Sequence, residues 1–215
     1  MQVLNISAFF DMSIRLILFD LGGVLYEIEH ASTHAALRSL QSYSARPISF
    51  SLEQAEKVFG EYDAGRLDNS EFFSILRSEY SVDAQDQQII NAWNAMLLGL
   101  YPDTLTFIKK VSQQLPIALL SNINPIHHAF VQEECTELFS HFKHLFLSYE
   151  LKLKKPEPEI FRYVIDQTGY SPKEILFLDD TPINCTIAES LGIQTQLINP
   201  HSREWITDLY YHFIG

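Results

Sequence analysis

A chain of 215 residues, 47% hydrophobic and 20% charged, can hold one full α/β domain and a smaller insertion around an ample core. Its formal net charge of −12 excludes general nucleic-acid binding, which needs a basic face to neutralise phosphates. It leaves room for a small anion held in a local positive pocket.

No apolar run reaches the length of a membrane span, and the first dozen residues lack a basic start and a cleavage site. Residues 1–12 therefore read as an N-terminal extension, and a cytoplasmic protein without a membrane partner is expected. Cys135 and Cys185 lie far apart and form no paired motif, which fits buried thiols in a reducing compartment.

The run Ile14-Arg15-Leu16-Ile17-Leu18-Phe19 has the near-continuous apolar character of a strand buried on both faces of a parallel sheet. Asp20 then stands at its carboxyl end, the edge where open α/β sheets place their ligands. Gly22 and Gly23 follow, and they let the backbone turn sharply and approach whatever the carboxylate faces.

From Leu25 to about Leu98 the pattern is helical. Ala36, Leu37 and Leu40 mark a short amphipathic stretch ended by Pro47. Ser51-Leu52-Glu53-Gln54 reads as a capping box ahead of Val58, Phe59 and Tyr62. Asn69 is expected to cap a third helix with Phe72, Phe73 and Leu76, and Asp83 a fourth with Ile89, Trp93, Met96 and Leu97. Four helices without a strand predict a helical-bundle cap over residues 28–98, inserted into a core domain of 13–27 and 99–215.

The α/β alternation resumes at Asp103, which begins a helix with Leu105, Ile108 and Val111 inward. Pro116–Leu120 is a second buried strand ending in Ser121-Asn122, and His144–Leu147 a third. The turn Leu151–Pro158 carries Lys152, Lys154 and Lys155; the first two are expected to be solvated and Lys155 functional. Ile160, Phe161 and Val164 face inward on the next helix, which ends at Gly169. Ile175–Leu178 is the fourth strand, closed by Asp179-Asp180, and Thr195–Ile198 the fifth. Ile206, Leu209, Tyr210 and Phe213 keep the spacing of a last amphipathic helix. The fold class is α/β, a doubly wound, Rossmann-like parallel sheet of order 5-4-1-2-3 with right-handed crossovers.

In such a sheet Asp20, Ser121-Asn122, Lys155 and Asp179-Asp180 can converge on one edge. Clustered carboxylates repel unless a cation lies among them. With oxygen ligands and no His/Cys cluster, Mg²⁺ is the expected ion. His127 and His128 lack partners at metal spacing and read as structural, as do Trp93 and the other cap aromatics. Arg66 and Tyr62 are weaker candidates to face a substrate. The last helix is expected to pack on the sheet, with a second subunit as the alternative and Trp205 and Tyr211 as candidates to be left over.

The order Asp, Ser, Lys-Pro, Asp-Asp, with a helical insert after the first Asp, resembles the haloacid dehalogenase-like hydrolase superfamily. Leu120-Ser121-Asn122, Lys155–Phe161, Phe177–Asp180 with Asn184, and the phrase Tyr62–Leu67 leading to Glu71-Phe72 are similar to its capped small-molecule phosphatases. These include bacterial sugar-phosphate phosphatases and the phosphatase domain of soluble epoxide hydrolases. The resemblance implies that Asp20 attacks phosphorus and forms an aspartyl-phosphate. It implies Mg²⁺ on Asp20, the Gly22 carbonyl and Asp180, and phosphoryl contacts from Ser121, the Asn122 backbone and Lys155. Asp179 would orient Lys155 or the metal's water, with Asn184 beside it.

One position departs from the family. Its phosphatases carry a second Asp two residues after the nucleophile, as acid for the leaving group and base for water; here it is Gly22. The expected reaction is hydrolysis of a small phosphorylated metabolite such as a sugar phosphate, by a monomer or homodimer. His30, His34 and Glu27 are candidates by position to replace the missing acid, with water as the alternative proton source. The alternatives are a metal-independent haloacid dehalogenase, which also lacks that Asp, and a catalytically idle binding or regulatory protein.

Overall fold

The computed structural model describes residues 14–42 and 56–213. The predicted N-terminal extension, Pro47 and the Ser51–Gln54 capping box lie outside them. Five parallel strands form the central sheet: β1 (Leu16–Phe19), β4 (Ile117–Ser121), β5 (His144–Leu147), β6 (Ile175–Asp179) and β7 (Gln194–Leu197). Their order is β5-β4-β1-β6-β7, which is the predicted order read from the opposite edge.

The apolar runs are continuous because both sheet faces are covered. Ile17, Phe19, Leu119 and Leu178 point to one side, against Phe107, Ile108 and Val111 of α5 (Thr104–Gln114), Val131 and Leu138 of α6 (Pro125–Phe139), and Leu209 of α10 (Glu204–Phe213). Leu16, Leu18, Leu120 and Phe177 point to the other, against Ile160, Phe161 and Val164 of α8 (Pro158–Thr168) and Ala188 of α9 (Pro182–Ser190). Trp205 is buried on the first side, edge-on to Phe107. The outer strand β7 begins at Gln194, one residue before the predicted start, and leaves Leu197 exposed.

Between Ile28 and Leu97 come α1 (His30–Ser39), a π-helical turn (Glu56–Gly60) running into α2 (Glu61–Asp63), α3 (Asn69–Tyr80) and α4 (Asp86–Asn94). Leu37, Tyr62, Phe72, Leu76, Ile89 and Trp93 form a hydrophobic cluster of their own, completed by Ile126 of α6. Tyr62 and Phe72 stack at 4.0 Å between centroids.

Three local expectations need correction. The segment is not helical throughout. β2 (Tyr26–Ile28) and β3 (Leu97–Leu100) pair antiparallel at its two ends, a contact between distant residues to which helical periodicity is blind. Asp68, not Asn69, caps α3: its carboxylate accepts from the Glu71 N–H at 2.8 Å and Glu71 accepts in return from the Asp68 N–H. Asn69 instead accepts the Tyr62 hydroxyl at 2.7 Å. Asp83 does not start α4 either; its N–H donates to the Leu40 carbonyl and the helix starts after Gln85. No described helix is long and apolar enough to cross a membrane.

Candidate active site

Asp20 continues β1 by one residue, its N–H donating to the Leu178 carbonyl at 2.9 Å. The Asp20 carboxylate accepts from the Leu21 N–H at 2.7 Å. The chain then turns through Gly23 at φ +75°, where a Cβ would stand 2.2 Å from the carboxylate of Asp180. Only glycine permits that approach, so the turn brings the Asp20 strand end against the Asp180 side chain. Gly22 is different. Its φ is not left-handed, and a Cβ there would meet only the tip of Ile28 at 3.2 Å.

Lys155 reaches this edge from the loop between α7 (Ser148–Leu151) and α8. Its buried ammonium lies 2.9 Å from Asp20 and 2.6 Å from Asp179. Burial opposes the charge, but Asp179 and Asp20 outweigh it and hold the pKa above the ordinary lysine value. Asn122 fixes the backbone beneath it: the amide donates to the Lys155 carbonyl and accepts the Lys155 N–H, both at 2.8 Å. The Asn122 side chain is thus committed to the lysine loop, which leaves its main chain for a ligand. Lys152 is exposed and donates to the Gly65 carbonyl. Lys154, expected to be solvated, is buried and lines the cavity described below.

The third strand end carries two carboxylates in different situations. Asp179 is fully buried and satisfied by Lys155, by the Thr181 N–H at 2.8 Å and by Asn184 at 3.0 Å. Asp180 turns toward the cavity and accepts the Thr181 hydroxyl at 3.2 Å. Ligand atoms of Asp20, Asp179 and Asp180 lie within 4.8 Å of one another. Burial, with the charges of Asp179 and Asp180, pushes Asp20 up to about 7 against the pull of Lys155. Burial and Asp179 raise Asp180 as well. Three carboxylates facing one ammonium are short of positive charge, and an all-oxygen donor set of this kind fits a hard divalent cation.

A cavity of about 600 Å³ opens over these strand ends. Asp20, Gly22, Ser121, Asn122, Lys155, Asp180 and Asn184 line one part of it, and Ile28, Phe59, Trp93, Met96 and Leu97 another. His30 and His34 also line it, whereas Glu27 does not. Tyr62 and Arg66 do not line it: Tyr62 is core, and Arg66 donates from Nη2 to both Glu157 carboxylate oxygens at 2.7 and 2.8 Å and from Nη1 to Glu61 at 3.0 Å. His127 is structural as expected, stacked on Trp93 with both ring nitrogens bonded, to Asn124 and to the Trp93 carbonyl. Burial lowers its pKa to about 4 and keeps it neutral.

Sequence reasoning missed the residues that hold the helical segment to the sheet edge. Asn124 caps α6 with Pro125 in its first turn, and its amide donates to Asp63 at 2.8 Å. The Ser148 hydroxyl accepts from the Ile123 N–H at 2.9 Å and donates to the Asp63 carbonyl at 2.5 Å. The Asn-Pro pair was a readable helix start; the Asp63 and Ser148 partnerships leave no local signal.

The family profile of haloacid dehalogenase-like hydrolases matches residues 14–192. A D-ribitol-5-phosphate phosphatase of Bacteroides thetaiotaomicron is 29% identical over 187 residues, 85% of this chain and 90% of that protein. A solved haloacid dehalogenase family enzyme from the same bacterium, in complex with magnesium and inorganic phosphate, superposes with a TM-score of 0.76 at 30% identity. It covers 88% of this chain and 96% of that one. The rat bifunctional epoxide hydrolase 2 is 39% identical over 62 residues, 29% of this chain and 11% of that protein. The match spans four of the five strands of the sheet, the helical segment and all the polar strand ends, and the chain belongs to the haloacid dehalogenase-like hydrolases.

Proposed function

We propose that this hydrolase is a Mg²⁺-dependent phosphatase of a small phosphorylated metabolite, working through an aspartyl-phosphate on Asp20. The observation that carries the reading is Lys155, buried and shared at 2.9 and 2.6 Å between Asp20 and Asp179, beside a third carboxylate within reach of one ion. The Bacteroides relatives, a phosphatase and an enzyme holding magnesium and phosphate, support the same assignment.

Asp20 and Asp180, with the Gly22 carbonyl, would hold the ion. It would offset the repulsion between an anionic nucleophile and a phosphate dianion. The Asp20 carboxylate attacks phosphorus, an Asp20–phosphorus bond forms, and the bond from phosphorus to the alcohol oxygen breaks. Lys155 and the Ser121 and Asn122 donors balance charge on the phosphoryl oxygens. Water then attacks phosphorus, releases phosphate and returns the Asp20 carboxylate. Asp179, held by Thr181 and Asn184, keeps Lys155 in place. Residues 28–98 act as the cap and 13–27 with 99–215 as the core, in keeping with the separate hydrophobic cluster of the helices.

Gly22 leaves the departing alcohol without the carboxylic acid found at this position in related phosphatases. General acid–base help is worth about 10²–10⁴ in rate, so turnover should favour good leaving groups. His30 and His34 line the cavity and are the side chains we assign to donate a proton. The test is a leaving-group series of phosphomonoesters on the wild type and Gly22→Asp, with Asp20→Asn as the blank. The backbone at Gly22 accepts the new side chain once the Ile28 tip shifts by a few tenths of an ångström. A gain confined to poor leaving groups is expected; no gain there would remove the missing-acid account, and no turnover of any ester would remove the phosphatase.

A further inference from the structure

Building on the phosphatase reading, we propose that the alcohol carried by the substrate is predominantly hydrocarbon, an alkyl or aryl group and not a polyol. Most polar side chains that line the cavity away from the strand ends bond the protein itself. Thr33 donates to the Trp93 carbonyl at 2.8 Å and accepts the Met96 N–H at 3.1 Å. Both ring nitrogens of His127 are bonded, and burial keeps the ring neutral. The Tyr26 hydroxyl donates to Glu134 at 2.8 Å, and Asp63 accepts from Asn124. Asn122 is held by the Lys155 backbone and Asn184 by Asp179.

Among the described residues, what remains away from the strand ends and from Lys154 on the lysine loop is the wall formed by Ile28, Phe59, Trp93, Met96, Leu97 and Val131, with the Trp93 indole N–H buried within it. Trp93 is fixed there by Phe59 at 4.9 Å and by the stacked His127 at 5.1 Å. A hydroxyl pressed against such a wall loses its water and gains no partner, whereas a methylene or ring gains contact. The two exposed histidines, His30 and His34, sit on α1 and can serve one polar end, not a row of hydroxyls. At about 600 Å³ the cavity has the volume of an ordinary small-molecule site, so an alcohol of several carbons has room beside the phosphate.

The experiment compares n-pentyl phosphate with ribitol 5-phosphate, two five-carbon monoesters that differ only in hydroxyl groups. Calorimetric binding to Asp20→Asn in Mg²⁺ reads the preference without relying on turnover. The pentyl ester is expected to bind at least about tenfold tighter, a difference of about 1.4 kcal/mol. Equal affinity, tighter ribitol phosphate, or no binding of either overturns the inference. Met96→Gln, which places an amide in the wall at similar volume, should reduce the pentyl-to-ribitol ratio about threefold; an unchanged ratio also overturns it. Wild-type turnover of the same pair separates this idea from its foundation. Selective binding without hydrolysis of either ester sinks the phosphatase and keeps the apolar pocket, while hydrolysis that prefers ribitol phosphate does the reverse.

Discussion

The two sides of the cavity are built on opposite principles. At the strand ends, buried charges are tied to one another and to neighbouring polar groups: Lys155 to Asp20 and Asp179, Asp179 to Thr181 and Asn184, Asn122 to the lysine backbone. Facing them from the helical segment is an aromatic and aliphatic wall beside which Thr33 and His127 bond the Trp93 carbonyl. Buried charge is tolerated only where geometry is fixed, so the strand ends form a rigid chemical site. Apolar surfaces tolerate substitution of similar volume, so the wall can change its ligand without disturbing the chemistry.

The largest effect should come from the proposed nucleophile. Asp20→Asn is expected to lower phosphatase kcat/KM by at least about 10³-fold while the fold persists, read by steady-state kinetics beside circular dichroism. A residual rate near wild type would place the chemistry elsewhere.

Lys155→Met should hurt stability as well as activity, by about 3 kcal/mol in urea unfolding without divalent cation, because two buried carboxylates lose their counter-charge. The loss should grow with pH. Removing the lysine raises the folded-state pKa of Asp20 further above its unfolded value of 3.8, so the folded form retains a proton that the unfolded chain has released. Stability then falls as pH rises through that interval. A loss that is larger at pH 5 than at pH 8 would contradict this.

Mg²⁺ should stabilise the wild type. Binding at a hundredfold excess over Kd adds about 2.7 kcal/mol, which corresponds to roughly 5–10 °C in Tm for a chain of this size. Asp180→Asn should lose most of that shift in a thermal melt. An undiminished shift would mean that the ion binds away from the carboxylate cluster.

On the other side of the comparison the effects should be small. Arg66 reaches from the helical segment to Glu157, but both side chains remain about a third exposed, at 35% and 28%. Arg66→Ala should therefore cost under about 1 kcal/mol in urea unfolding, since solvent screens the pair. A cost approaching that of Lys155→Met would show that the two sides are coupled more tightly than their burial suggests.

Much of the strand-end site was legible along the chain. Asp20, Ser121 and Asp179-Asp180 each close a run of apolar residues, and a buried parallel strand announces itself in that way. Lys155 stood out as the lysine before Pro156. The same local view misjudged Lys154 as solvated, because nothing in a basic turn says which side chain the fold will turn inward. It placed the caps of α3 and α4 one or two residues away, where several capping-competent side chains follow one another.

By itself, the sequence determined the buried parallel strands, their right-handed crossovers and the carboxylates and donors that close them. These follow from hydrophobic periodicity and chain connectivity, both local properties. Only the tertiary structure decided that Asn122 grips the lysine loop, that Asp63 is held by Asn124 and Ser148, and that β2 and β3 pair. Those contacts join residues far apart in the chain, and each exists because packing brings two segments to the same place and leaves a donor and an acceptor with no water to turn to.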